Sequence, residues 1–538
     1  MAGMVDQRAS DAAGPRSAAD RVLALVERAG NRLPDTVFLF LLALLATWGL
    51  SFALSEAGLG IDFGLTDPRT GAPLVIVNQL ESASLTAFLT RMVEVFTSFP
   101  PLGLVLVALL GVGVAERTGL IGAALRAFLA FTPARLLAPM VVMAGLLSHT
   151  AADAGYVLVV PLGAAIYHAA GRHPLAGVAA AFAGVGAGFA ANLIPSSIDP
   201  LLQGFTQSAA RIVDPAYEVN PLCNWTFLAV SSVWITLVGW LVGVRVVEPR
   251  FAHVPVDGEG AETRPGEHAP GMHAGVDAAL SPRERVALIA ALASAVLGLA
   301  GLALWASDPA STLRGPKGGL TESAAPLMKS IVPLIFLATF VPGVIYGALS
   351  GSVKSHREIV KGMSQSMSSM GYYLVMAFFA AQFLDAFAKS NLGALIAIQG
   401  ASTLQALALP RGFTVFAAIL LATMINLLIA SSSAKWALLS GILVPMLMQV
   451  GIAPELTQAA YRIGDSCTNA VTPMNYYFPL VVVVAQRYVK GAGIGTIASA
   501  MLPYSIAFLV AWSALLFAFW GLDVPLGIAS RYMLDAGP

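Results

Sequence analysis

The chain has 538 residues, of which 57% are hydrophobic and only 11% charged. Soluble domains carry about 25% charged residues, so a mean hydropathy of +0.77 excludes an ordinary soluble enzyme, and it equally excludes a disordered chain, which needs low hydrophobicity and high charge. Lys+Arg 30 balances Asp+Glu 30, which removes the basic excess of a nucleic-acid binder, and two cysteines, Cys223 and Cys467, cannot build a disulfide framework.

An all-α polytopic membrane protein remains. Residues 1–32 are a polar tail with Arg8, Arg16, Arg21, Arg28 and Arg32, lacking the apolar core and small-residue cleavage site of a signal peptide. The first span is expected over 33–56, where VFLFLLALLATWGLSFAL matches the roughly 20 residues a bilayer core demands. The arginines before it place the N-terminus in the cytoplasm. Residues 57–100 then form a periplasmic segment of mixed composition, with Asp62, Asp67, Arg69, Glu81 and Glu94.

A first unit occupies 101–245. Apolar segments at about 101–115, 117–131 and 134–147 lead to a polar break, Ser148-His149-Thr150-Ala151-Ala152-Asp153. Two more segments, at about 155–170 and 175–191, lead to a second break at 192–200, and a span at 227–244 closes the unit. Residues 246–285 are a Gly-, Pro- and His-rich linker whose Arg250, Arg264, Arg283 and Arg285 put it in the cytoplasm; His268 and His273 there are not expected to bind metal. Two scaffold helices are expected within 286–350.

The second unit, 351–520, repeats the first, and 521–538 is a tail. Segments at about 365–388, 391–408 and 412–430 lead to the break Ser431-Ser432-Ser433-Ala434-Lys435-Trp436. A segment to about Val450 follows, then a second break at 465–473 and apolar stretches at about 476–486 and 496–520. Ser148 to Pro161 and Ser432 to Pro445 are each 13 residues, and both stretches end in Val-Pro. The two copies start on opposite sides of the membrane, which makes an inverted repeat, a transporter signature.

Unpaired backbone groups in hydrocarbon cost several kcal/mol each, so breaks at membrane depth survive only inside protein or beside water. Half-helix N-termini there hold anions and C-termini hold cations. Asp153, Asp199, Lys435, Arg462 and Asp465 lie within or beside the breaks, where ionisable groups are costly and therefore functional candidates. Arg462 and Asp465 are three apart, the spacing of an ion pair. Lys435 either faces the site or snorkels to an interface. Arg462 and Lys435 favour an anionic substrate, and Trp436 offers a ring face to it. Asn426, Asp465 and Asn469 offer hard oxygen ligands for a small cation; Asp465 could instead carry a proton, and the residues leave that open. His149 reads as a buried histidine or a pH-sensitive group at the first tip, and Cys467 as packing.

At the breaks the chain resembles the AbgT family of p-aminobenzoyl-glutamate transporters. The strings are SHTAADAGYVLVVPLGA at 148–164, ANLIPSSIDPLL at 191–202, SSSAKWALLSGILVPMLM at 431–448 and YRIGDSCTNAVTPMNYYFPLV at 461–481. The resemblance implies about nine transmembrane helices plus two re-entrant hairpins, in an inverted-repeat, elevator-type carrier similar to the divalent-anion/sodium symporters. It also implies a homodimer in the bacterial inner membrane that carries p-aminobenzoyl-glutamate and related folate-pathway compounds and exports sulfonamides. Na+ or H+ would be the coupling ion, with no other cofactor. By motif, substrate and transport roles fall on Asp199, Ser433, Trp436, Pro454, Arg462, Asp465 and Pro473, and sodium contact on Asn426. Related anion carriers have Ser-Asn-Thr at their hairpin tips; this chain has His149 between Ser148 and Thr150, which stay as candidates.

Three other readings compete, one of them a channel, which saturable, gradient-driven accumulation would exclude. A dicarboxylate/sodium symporter would share the fold but gives Trp436 no ring to stack on. An intramembrane aspartyl protease would pair two aspartates to activate water, but it needs Gly-x-Gly-Asp where this chain has Arg462-Ile463-Gly464-Asp465. A transporter rather than an enzyme is therefore expected.

Overall fold

A computed structural model describes residues 34–57, 75–130, 133, 136–151, 154–258, 280–322, 325–407, 409–429, 431–472, 474–475 and 477–534. The arginines of the N-terminal tail, Asp62, Asp67, Arg69, Asp153, Arg264, His268, His273 and Pro473 lie outside the described residues.

Among the described residues the chain is helical, and the β contact present is one isolated bridge between Ile452 and Met533. Nineteen helices longer than one turn follow in order: α1 Thr36–Glu56, α2 Ser82–Thr97, α3 Pro100–Arg117, α4 Leu120–Ala130, α5 Leu137–Leu147, α6 Ala154–Ala169, α7 Pro174–Phe182, α8 Ile198–Ala210, α9 Trp225–Val242, α10 Pro282–Ser307, α11 Ile331–Ser350, α12 His356–Ser369, α13 Gly371–Lys389, α14 Leu392–Ala406, α15 Arg411–Asn426, α16 Ser432–Gln449, α17 Pro454–Cys467, α18 Phe478–Gln486 and α19 Ile494–Gly521. Seven stretches are long and apolar enough to cross a membrane: α1, α2 with α3, α9 with its extension to Phe251, α10, α11, α13 and α19.

The stretch 57–100, expected as a mixed segment outside the membrane, contains α2. Its mixed composition is a helical period. Phe88 meets Trp48 edge-on at 5.1 Å and Phe96 meets Phe378 at 5.5 Å. Arg91 lies beside Glu94 and 3.8 Å from Asp385 of α13.

One arrangement occurs twice. In the first unit α5, a 3-10 turn Ser148–Ala151 and α6 form a hairpin; α7 then runs into a π-turn, Ala183–Ala187, and irregular backbone before α8 begins. In the second, α15, a bend and α16 form a hairpin, and α17 breaks after Cys467 before α18 begins. Pro161 and Pro445 sit inside the second helix of each hairpin. The interrupted helices lie side by side in opposite directions, with α7 against α18 and α8 against α17. Their breaks are level: the Ala190 N–H donates to Ser466 Oγ at 3.0 Å.

Glycines permit this packing. A Cβ on Gly184 would lie 2.2 Å from the Val142 carbonyl oxygen, and one on Gly464 would lie 2.4 Å from that of Ile419. Each interrupted helix thus presses a glycine onto the first helix of its own hairpin. Two large apolar cores result, beside a small third one where Ala123, Leu288 and Tyr346 meet. One gathers α5, α6, α7, α9, α18 and α19; the other gathers α1, α3, α8, α13 and α16. α17 lies in the seam, giving Leu456 and Ile463 to the first core and Tyr461 to the second. Beyond α19 the chain folds back under the bundle. Leu526 O accepts from the Phe227 N–H at 2.8 Å and Tyr532 O from the Ala453 N–H at 3.0 Å.

Candidate functional site

Every residue of α17 is buried, although Glu455, Gln458, Arg462 and Asp465 recur along it at helical spacing. Buried charge persists only when paired and hydrogen-bonded, and each charge at the C-terminal end of α17 finds a partner from another element. Arg462 Nη1 lies 2.7 Å from Asp199 Oδ1. Asp199 stands in the first turn of α8, where the helix dipole favours an anion, and its Oδ2 accepts from the Ser196 N–H at 2.7 Å. Asp465 Oδ1 lies 2.5 Å from Lys435 Nζ, and its Oδ2 accepts from Ser432 Oγ at 2.6 Å. The Tyr461 hydroxyl donates to the Ser432 carbonyl oxygen at 2.6 Å and lies 3.2 Å from Asp465 Oδ1.

Arg462 and Asp465 therefore do not pair with each other, as their spacing suggested. Each meets an opposite charge brought by α8 or α16. Nor does Lys435 snorkel; it is 0% exposed. The two aspartates lie in separate ion pairs, so no carboxylate dyad exists to activate water, and the protease reading fails on geometry.

Trp436 is also fully buried. Its indole stacks on Tyr461 with centroids 4.3 Å apart, and Nε1 donates to Thr206 Oγ1 at 2.9 Å. Thr206 donates to Gln458 Oε1 at 2.5 Å, and Gln458 Nε2 to Asn224 Oδ1 at 2.9 Å. The expected free ring face is occupied by Tyr461.

The remaining predicted residues divide. Asn426 and Asn469 join the cluster: Asn426 Nδ2 faces Asp465 O at 2.6 Å, Thr468 Oγ1 at 2.8 Å and Asn469 Oδ1 at 2.9 Å. Ser433 is half-buried and shares a hydrogen bond with Ser431 Oγ at 3.3 Å; the contact to Asp465 belongs to Ser432, one residue earlier. Pro454 is the first residue of α17, a position suited to proline. Eleven residues separate it from Asp465, about 16 Å by helix rise, so it is not brought to the cluster. Ser148 and Thr150 lie in the turn of the first hairpin, where Ser148 Oγ donates to Gly145 O at 2.6 Å. His149 is buried, with Nε2 3.3 Å from Gly184 O and its ring against Phe189. Cys467 is a buried free thiol.

Asn426, Asp465 and Asn469 were expected as ligands for a small cation such as sodium, with a proton on Asp465 as the alternative. The residues present do not fit a sodium ion. Asn426 Oδ1 accepts a hydrogen bond from Lys435 Nζ, and the same ammonium sits on Asp465 Oδ1. Two of the oxygens that would face a cation, Asn426 Oδ1 and Asp465 Oδ1, already face an ammonium, and Asn469 Oδ1 accepts from the Asn426 amide.

Thr206, Gln458, Asn224, Tyr461 and Ser432 were not anticipated. For Gln458 and Thr206 the signal was present as period: Gln458, Arg462, Asp465 and Asn469 fall at i, i+4, i+7 and i+11, and Asp199, Gln203 and Thr206 at i, i+4 and i+7.

Residues 21–534 match the model of the AbgT putative transporter family. The chain is 34% identical over 513 residues to the p-aminobenzoyl-glutamate transport protein of Escherichia coli (strain K12), covering 95% of this chain and 97% of that protein. The YdaH transporter of Alcanivorax borkumensis superposes with a TM-score of 0.84 at 37% identity, over 92% of this chain and 100% of that one. MtrF of Neisseria gonorrhoeae, described with a class of antimetabolite efflux pumps, superposes with a TM-score of 0.86 at 42% identity, over 95% and 100%. A family match over nearly the whole length, with matching folds, makes this a membrane-spanning transporter rather than an enzyme, and the chain belongs to the AbgT family.

Proposed function

We propose that this protein is a secondary active carrier of p-aminobenzoyl-glutamate and related aromatic, anionic folate-pathway compounds, that it exports sulfonamides, and that a proton or sodium gradient drives it. The observation that carries the reading is the state of Arg462. Its guanidinium sits beside the level breaks of the two interrupted helices and pairs with Asp199 through Nη1, while Nε has no hydrogen-bond acceptor among the described residues. A guanidinium with a donor to spare suits capture of a further carboxylate, and p-aminobenzoyl-glutamate has two. The names of the Escherichia coli and Neisseria gonorrhoeae relatives support the substrate classes.

The same reading has the carrier in the bacterial inner membrane as a homodimer, N-terminus in the cytoplasm. About nine spans and two re-entrant hairpins would form an inverted repeat. The two hairpins with their interrupted helices would move together as an elevator, with Asp199, Arg462, Lys435, Trp436 and Asp465 at its centre. Opening of the hairpins would bare Trp436 to the aromatic ring.

Radiolabelled p-aminobenzoyl-glutamate flux in proteoliposomes, under imposed proton and sodium gradients separately, tests it. Gradient-driven flux lost in Asp465→Ala is the expected result. Absence of flux under both gradients, with the protein folded and inserted, would overturn the substrate assignment.

A further inference from the structure

We propose that Lys435 is a tethered cation: its ammonium fills, from within the chain, the place at the second hairpin that a dissolved alkali ion would otherwise take. The proposal deepens the transport reading above and rests on it only for its consequence in transport.

Three observations support it. The first is occupancy. Lys435 Nζ lies between Asp465 Oδ1, at 2.5 Å, and Asn426 Oδ1. The other polar atoms around it are engaged. Asp465 Oδ2 takes Ser432 Oγ, and Asn426 Nδ2 is directed at Asp465 O, Thr468 Oγ1 and Asn469 Oδ1. The cluster has the hard oxygens a small cation wants, and the ammonium is already among them.

The second is charge balance. Lys435 and Arg462 are matched by Asp465 and Asp199, two against two, all four side chains nearly or wholly removed from solvent. Glu455, the other buried charge on α17, is ten residues away along the helix, about 15 Å by helix rise. A sodium ion added to this cluster would leave an uncompensated positive charge in a low-dielectric interior, which is costly.

The third is position. Lys435 springs from the first turn of α16, whose N-cap is Ser431. The positive end of a helix dipole repels a cation there, and the side chain is fully buried. Neither its place on the helix nor solvent favours lysine here, so the oxygens of Asn426 and Asp465 that it reaches are what hold the charge.

Saturable binding of 22Na+ to the purified detergent-solubilised protein decides the matter without any substrate, so a failed flux assay and a failed proposal remain distinct. Wild-type protein is expected to retain sodium at background, with the same thermal midpoint in NaCl as in choline chloride. Lys435→Met, which empties the position while keeping the chain length apolar, is expected to gain about one equivalent of bound sodium and a sodium-selective rise in thermal midpoint. If that variant does not fold, Lys435→Gln takes its place, and if neither folds the wild-type measurement stands alone. Saturable sodium binding by wild type that disappears in Asn426→Ala overturns the proposal. So does a folded Lys435 variant that gains no sodium.

Discussion

Arg462 of α17 and Asp199 of α8 form an ion pair, Nη1 to Oδ1 at 2.7 Å, that joins the second interrupted helix to the first. The two residues are 263 positions apart in the chain, and neither has an opposite charge of its own unit in this contact. The pair is thus a direct tie between the two units at the level of their breaks.

Breaking one side of a buried pair strands the other charge, at a cost of about 3–5 kcal/mol. Asp199→Ala and Arg462→Ala should each lower the unfolding midpoint in detergent sharply, and each should stop transport. The double variant Asp199→Ala/Arg462→Ala should be less destabilised than the sum of the two, because no lone charge remains. Additive losses in this double-mutant cycle would mean that the two residues do not interact.

The polar breaks were legible from sequence because polar and ionisable residues in an apolar text stand out at membrane depth. Ser148, Lys435 and Asp465 were found this way. What was not legible depends on which elements meet. Arg462 and Asp465 share a helix face, so spacing favoured pairing them, but α8 and α16 bring a closer counter-charge to each. The helix α2 was not anticipated within 57–100, because the charges Asp62, Asp67, Arg69, Glu81 and Glu94 gave the whole stretch a mixed character. Arg91 of α2 pairs with Glu94 three residues on and also with Asp385, nearly 300 residues later, a contact that no local pattern reports. Trp436 was identified, but its burial under Tyr461 follows from the seam position of α17, which no local pattern reports.

Trp436 makes two separable contacts, a stack on Tyr461 and a hydrogen bond to Thr206. Trp436→Phe keeps the first and loses the second. It leaves the Thr206 hydroxyl oxygen and the Leu202 carbonyl oxygen without the indole donor, a loss that costs about 1–3 kcal/mol. Trp436→Ala loses both contacts and the ring that the open site would offer. Flux of an aromatic substrate should fall about tenfold in the phenylalanine variant, equivalent to about 1.4 kcal/mol, and to background in the alanine variant. Equal flux in both variants would show that the ring has no part in transport.

The folded-back tail yields a prediction about α17 itself. Ala453 is the N-cap residue of α17 and has no side-chain cap, and its N–H is satisfied by Tyr532 O at 3.0 Å. Leu534 N–H reaches back to Gly451 O at 2.9 Å. A chain ending at Gly521 should leave these groups unpaired and loosen the start of the buried helix. The expected readout is faster hydrogen exchange over residues 451–458, with exchange in α19 unchanged. Unaltered exchange there would show that the tail merely covers the bundle end.

Gly464 tests the packing on which the cluster depends. It lies between Arg462 and Asp465 on α17, and a Cβ there would stand 2.4 Å from the Ile419 carbonyl oxygen and 2.7 Å from the Ala422 side chain. These are backbone and short side-chain atoms of α15 that cannot swing away, so even Gly464→Ala must push the two helices apart. Overpacking of this kind costs about 1–3 kcal/mol. It also displaces Asn426, at the end of α15, from the Asp465 and Asn469 oxygens it now faces. Gly298→Ala on α10 is the control, since a Cβ there meets nothing within 4 Å and alanine favours a helix. Gly464→Ala should lower the thermal midpoint and cut transport while Gly298→Ala leaves both at wild-type values. A Gly464→Ala protein as stable and active as its control would mean that α15 and α17 pack less closely than their glycine contact requires.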